Sequence, residues 1–75
     1  MEFEKLREII ADVLNVAEDE ITPDSKFEDD LGADSLDVYQ IIMAIEELYD
    51  VEIDAEKAEK VVTVEDALEL MKDFV

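Results

Sequence analysis

Apolar residues near the start of the chain fall at Phe3, Leu6, Ile10, Val13 and Leu14, with Glu4, Glu8 and Asp12 between them. This spacing predicts a helix with one buried stripe, ended at Asn15. The segment from Glu18 to Asp34 then loses the period and carries Thr22-Pro23, several acids and Gly32, so it reads as a long connection. A loop of that length in a small domain needs its own anchors. Ile21, Phe27 and Leu31 are the apolar residues placed to supply them, and they are expected to be buried.

A second helix is predicted from Ser35 to about Tyr49. Asp34 stands where an N-cap carboxylate accepts early amide hydrogens, and Asp37 places a further acid at the positive end of the helix dipole. Val38, Ile41, Ile42, Ile45 and Tyr49 form the face that enters the core. Leu36, Tyr39 and Met43 form another apolar strip, roughly 100° or more around the helix, bordered by Gln40, Glu46 and Glu47. One stripe is enough for folding, so the second invites another use.

Past Val51 and Ile53, Asp54 is placed to cap a short helix running through Val61. That helix is too brief to be stable alone and is expected to dock by Ala58, Val61 and Val62. Thr63, three residues before Asp66, opens the last helix, whose apolar face is Val64, Ala67, Leu68, Met71 and Phe74. The predicted architecture is all-α: a small four-helix bundle of three longer helices and one short one, with a long loop between helices one and two. Seventy-five residues without repeats or low-complexity tracts are expected to form a single domain, 1–75.

Composition narrows the function. The chain has no cysteine and no histidine, which removes disulfides, thiolate nucleophiles, the usual zinc sites and a histidine base together. Twenty-four acids against six bases give a net charge of −18. That balance argues against nucleic acid and anionic membrane surfaces and points to basic protein surfaces as partners. The bases are Lys5, Arg7, Lys26, Lys57, Lys60 and Lys72, so the stretch from Phe27 to Glu56 holds eleven acids and no cation. With 49% apolar residues in regular patterns, the chain is a folded polyanion rather than a disordered one. The longest uncharged run, Val38 to Ile45, is eight residues, far short of the roughly 20 needed to cross a bilayer. Met1 leads directly into a charged helix without a secretory pattern, so a cytoplasmic protein without stable membrane insertion is expected.

Ser35 is the residue with candidate chemistry. On position alone it is an ordinary helix-start serine. As a catalytic nucleophile it lacks the usual bases, and no lysine lies near it in sequence. A serine in the first turn of a helix is, however, well placed to hold a phosphate, because unpaired amide hydrogens and the dipole both favour negative charge there.

The octet Asp30-Leu31-Gly32-Ala33-Asp34-Ser35-Leu36-Asp37 resembles the phosphopantetheine attachment motif of the acyl carrier proteins, with Asp34-Ser35-Leu36 at its centre. The likeness extends through Met43-Ala44-Ile45-Glu46-Glu47 and through Ala58-Glu59-Lys60-Val61 into Thr63-Val64. This resemblance implies a bacterial-type carrier, not an enzyme, that bears a growing fatty acyl chain as a thioester on a 4′-phosphopantetheine arm. It implies that Ser35, flanked by Asp34 and Leu36, receives the arm from coenzyme A through a separate Mg-dependent phosphopantetheinyl transferase. No catalytic or metal-ligating residue is expected.

The same resemblance gives the second strip a use. It implies that Asp37, Tyr39, Gln40, Met43, Glu46 and Glu47, together with Leu36 and Asp34, face the transferase and the fatty acid synthesis enzymes. A small apolar centre would supply grip, and the acids would pair with lysine or arginine on the partner. By the same analogy the acyl chain would shelter among Phe27, Ile45, Ile53, Ala58, Val61 and Ala67, in a monomeric carrier. Gln40 stands where the family commonly has glutamate, Val38-Tyr39 replaces a smaller Thr-Val pair, and Asp54 replaces a proline; these changes bear on partner choice and leave the octet intact.

Other readings are weaker. In a calcium loop centred on Gly32 the first and last ligand positions would be Phe27 and Val38, which cannot coordinate the ion. A carrier for a polyketide, an aminoacyl group or a specialised lipid acid shares the anchoring chemistry; the Gly32-to-Asp37 run and the acidity favour fatty acid synthesis. An interaction module with an unmodified Ser35 is separated from all carriers by its mass after exposure to a transferase and coenzyme A.

Overall fold

The computed structural model describes residues 2–74. It contains α1 (Glu2–Leu14), a short 3-10 turn (Glu18–Glu20), α2 (Ser35–Tyr49), α3 (Ala55–Glu59) and α4 (Val64–Lys72). The architecture is the expected all-helical one, with helix starts at or within a residue of those read from the sequence. α1 packs against both α2 and α4. Leu6 and Ile10 of α1, Ile41 and Ile45 of α2, and Val64, Ala67 and Met71 of α4 form the central core. Asn15 ends α1 with a left-handed backbone, φ 57, a conformation that a short polar side chain tolerates.

The long connection is anchored as well as crossed. Ile21 and Phe27 are fully buried in the main core, while Leu31 is only half-buried, packed against its edge. What fixes the loop beyond these apolar contacts is backbone pairing with the segment leading into α4. The N–H of Phe27 donates to the Val62 carbonyl at 3.0 Å, the N–H of Val64 to the Ser25 carbonyl at 2.9 Å, and the N–H of Glu65 to the Pro23 carbonyl at 2.9 Å. Lys26 and Thr63 thereby form an isolated antiparallel bridge. Ser25 is buried, and its Oγ accepts the N–H of Thr22 at 3.1 Å and shares a hydrogen bond with Thr22 Oγ1 at 3.0 Å. The buried Ser25 hydroxyl thus has a local partner, while the loop backbone is paired with the segment before α4.

The short-helix region departs from expectation in three respects. α3 ends at Glu59 rather than Val61, and the Asp54 side chain makes no capping hydrogen bond. Val62, expected to dock, is 55% exposed, whereas Ala58 is buried and Val61 half-buried. The cause is that the chain between α3 and α4 is extended, so successive side chains point to opposite sides. Val61 turns inward and Val62 outward, and it is the Val62 carbonyl that holds the loop. α3 docks through a satellite cluster of Ala58, Ile42 and Leu70, with Ile53 and Val61 packed beside it. Leu70 is therefore buried although the sequence pattern named Leu68, which is half-buried, because α3 covers that flank of α4.

α4 opens with a full capping box. Thr63 Oγ1 accepts the N–H of Asp66 at 3.2 Å, and Asp66 Oδ2 accepts the N–H of Thr63 at 3.1 Å and that of Val62 at 3.1 Å. Those backbone hydrogen bonds, Thr63 first and Val62 second, hold the Asp66 carboxyl below the usual aspartate range, with slight burial opposing them and the Thr63 side chain adding to the lowering.

Candidate functional site

Each residue of the octet has a local task that delivers Ser35 to the surface. The Asp30 and Leu31 N–H groups donate to the Lys26 carbonyl at 3.0 and 3.1 Å, and Asp30 Oδ2 accepts the Lys26 N–H at 2.8 Å, closing the loop on itself. Gly32 takes a left-handed backbone, φ +69, and a Cβ there would meet nothing within 4 Å. The glycine is thus needed for the sign of φ and not for space. Ala33 is buried, with its N–H donating to the Phe27 carbonyl at 2.8 Å, so the turn is pinned just before the helix. This small buried residue, between glycine and cap, was not singled out from the sequence.

Asp34 is extended, φ −96 and ψ −179, and caps α2. Its Oδ1 accepts the N–H of Asp37 at 2.9 Å, while Asp37 Oδ2 accepts the N–H of Asp34 at 3.3 Å. Sequence spacing anticipated the cap; the reciprocal bond shows that two aspartates do the work more often done by a Ser/Thr and Glu pair. An α-helix leaves four N–H groups without intrahelical acceptors at its start. The box satisfies two, and those of Ser35 and Leu36 have no acceptor among the described residues. Ser35 itself is exposed, and its hydroxyl takes no part in the cap.

Beside Ser35 lies a half-open groove of about 520 Å³ between α2, the loop at Lys26–Asp29 and the α3 region. Ser35, Leu36, Val38, Tyr39 and Ile42 line it from α2, Lys26 and Phe27 from the loop, and Ala58, Val61 and Val62 from the far wall. Of the residues expected to shelter an acyl chain, Phe27, Ala58 and Val61 do line this groove, and Ile45, Ile53 and Ala67 do not. Ile45 and Ala67 are sealed in the main core and Ile53 packs between the two clusters. Among the described residues, Lys26 is the only cation on the groove's lining.

The second strip of α2 is unburied as the pattern suggested: Leu36 is 67%, Met43 54% and Tyr39 52% exposed. Gln40 and Glu47 are exposed beside it. Asp34 and Asp37 are exposed to half-exposed but already serve the cap. Glu46 differs from its neighbours, because its Oε2 accepts the N–H of Ile53 at 2.7 Å. Among the described residues the one ion pair joins Arg7 to Glu18, 3.7 Å apart, and involves no residue of α2. Among the described residues, the acids from Glu28 to Glu56 form no ion pair.

An exposed hydroxyl framed by a cap, two open amide hydrogens and an adjoining apolar groove fit a phosphate-linked arm with an apolar cargo. Comparison with known proteins agrees with that fit. The family described as "Phosphopantetheine attachment site" matches residues 4–71. A curated acyl carrier protein of Clostridium perfringens (strain SM101 / Type A) is 56% identical over 71 residues, covering 95% of this chain and 93% of its own. An acyl carrier protein of Sulfurovum sp. (strain NBC37-1) is 46% identical over 71 residues, covering 95% of both chains. With a matching attachment domain and relatives of this identity over nearly the whole length, the chain belongs to the phosphopantetheine-bearing acyl carrier protein family.

Proposed function

We propose that Ser35 is the point of attachment of 4′-phosphopantetheine, and that the chain as a single carrier domain delivers fatty acyl groups to the enzymes of fatty acid synthesis. The observation that carries this reading is the placement of an exposed Ser35 hydroxyl at the first position of α2, on the lip of the groove, with its helix cap supplied by other residues. When bound, the arm supplies the thiol that a chain without cysteine lacks. The protein's own part is to hold the linkage in the open, direct the N–H groups of Ser35 and Leu36 toward its phosphate, and offer apolar walls to the cargo. With no histidine or cysteine, the chain is a tether and leaves catalysis to its partners.

The docking face is the exposed strip Leu36, Tyr39 and Met43, edged by Asp37, Gln40 and Glu47. Partners are the phosphopantetheinyl transferase and synthesis enzymes that present lysine or arginine to it. No helix among the described residues is long and apolar enough to cross a membrane; the proposal is of a monomeric carrier working in the cytoplasm. The test is incubation with a phosphopantetheinyl transferase, Mg²⁺ and coenzyme A, followed by intact mass measurement of the native chain and of Ser35→Ala. The native chain gains the mass of one arm and Ser35→Ala gains none. Because Ser35 makes no capping bond, Ser35→Ala keeps its stability within about 0.5 kcal/mol. Loading of the variant, or a native chain that stays bare, overturns the assignment.

A further inference from the structure

The crossover from α2 to α3 is held by one residue in two ways. The Glu46 carbonyl accepts the N–H of Val51 at 3.0 Å and that of Asp50, around the left-handed turn at Asp50, φ 54. The Glu46 carboxylate then reaches seven residues ahead to the half-buried N–H of Ile53 at 2.7 Å. Directly beyond Ile53 the structure is thin. Asp54 gives α3 no side-chain cap, and α3 has five residues, of which Ala58 alone is buried. A helix of that length does not persist without tertiary support. Yet Ala58, Val61 and Val62 line the same groove as Ser35.

We infer that Glu46 is a positioning residue of the groove: its carboxylate, as acceptor for the Ile53 N–H, fixes the α2–α3 crossover and so sets where the Ala58–Val62 wall stands relative to Ser35. Ile53 is the pivot, since it packs against the main core and also against the satellite cluster that seats Ala58. Without the clasp, Ile53 would keep its apolar contacts but its N–H would have no acceptor. α3 would then depend on Ala58 and the half-buried Val61 alone. Glu47, one residue on and pointing outward, has no such bond and marks the contrast between a surface acid and a structural one. The functional weight of the inference rests on the groove being where arm or cargo lies, but the clasp itself is a property of the unloaded chain and is tested there.

The experiment is residue-resolved amide hydrogen exchange on the unloaded protein, comparing the native chain with Glu46→Gln, Glu46→Ala and Glu47→Ala. A glutamine retains an acceptor oxygen without the charge, so it separates the hydrogen bond from electrostatics. In Glu46→Ala exchange at Ile53 rises about tenfold or more, and at Ala58 and Val61 several-fold, while Ile10 and Met71 in the main core stay within about twofold. Glu46→Gln restores most of the protection at all three, and Glu47→Ala matches the native chain. Equal exchange in Glu46→Gln and Glu46→Ala would overturn the inference, because charge rather than the acceptor would then matter. So would native protection at Ala58 and Val61 in Glu46→Ala. Either failure leaves the attachment of the arm at Ser35 untouched, since that is read by mass.

Discussion

Removing the Asp66 carboxylate strips the α4 start of a side-chain oxygen that accepts from two backbone donors and leaves the N–H groups of Val62 and Thr63 unanswered. Loss of a single cap costs about 0.5–2 kcal/mol, and here the site is partly solvated, so Asp66→Ala is expected to cost about 1–2 kcal/mol. In a domain of this size each kcal/mol moves the midpoint by roughly 4–8 °C, so thermal unfolding followed by circular dichroism resolves the loss easily. Asp66→Asn keeps a neutral acceptor and should cost about half as much. Because the hydrogen bonds depress the carboxyl below its ordinary value, its stabilising contribution is complete above the unfolded aspartate value of about 3.9 and fades as pH falls through the lower folded value. The gap between the native chain and Asp66→Asn should therefore be constant from neutral pH down to about 4 and close below it. Since both chains carry every other acid, the difference cancels the general relief of repulsion on acidification. Equal midpoints for the native chain and Asp66→Ala, or a gap that widens toward low pH, would refute the argument.

Three further outcomes can be checked with the same material. At about 0.01 M salt the screening length is roughly 30 Å, longer than the 27 Å greatest extent of the molecule. Nearly all of the net −18 charge then repels itself, so raising NaCl to about 0.15 M, where screening falls to about 8 Å, raises the unfolding midpoint; an unchanged midpoint contradicts this. Asp50→Gly relieves a left-handed residue and removes an acid from the end of a helix whose last turn has no base; a gain of about 0.5–1 kcal/mol in urea titration is expected, and a loss would count against it. Leu36→Ala and Met43→Ala, both at exposed positions, should leave stability within about 0.5 kcal/mol while lowering kcat/KM for arm transfer by roughly tenfold, a size typical of interface anchors. Native transfer kinetics in both would remove the strip from the docking face.

Helix content was legible wherever the determinants are local. The Asp34–Asp37 and Thr63–Asp66 spacings located two helix starts, and both prove to be reciprocal boxes. The exposed strip on α2 was visible for the same reason, since a helix with two apolar faces can bury only one against so small a core. What escaped the sequence lies in pairings between distant segments. The bridge of Lys26 with Thr63 is made by backbone atoms, which carry no residue signature, so the outward turn of Val62 followed from a partner thirty-odd residues away. Leu70 became core because α3 lies over it, and Ala33 because the Phe27 carbonyl pins its N–H. Glu46 read as one more acid on a polar border, since nothing in helical periodicity reveals that the chain returns an amide to it.

Attachment of a phosphodiester at Ser35, as proposed, would carry an electrostatic cost on this polyanion, and the local geometry of α2 is suited to contain it. The two nearest carboxylates, Asp34 and Asp37, each direct an oxygen to a backbone N–H, so part of their charge is already balanced by the cap. The two N–H groups left over belong to Ser35 and Leu36, at the end of the dipole that favours an anion. Acidity elsewhere on α2 is then free for another purpose. Among the described residues no cation lies within ion-pair distance of the acids between Glu28 and Glu56, and the sole ion pair sits between α1 and the 3-10 turn. A partner bringing lysine or arginine, as proposed, would therefore relieve repulsion as well as form pairs, and would gain orientation from a field that reaches beyond contact. Each exposed pair contributes only about 0–1 kcal/mol, and the apolar centre of three side chains is small. Association built this way is quick to form and quick to dissolve, as a carrier must be if one arm is to visit successive enzymes.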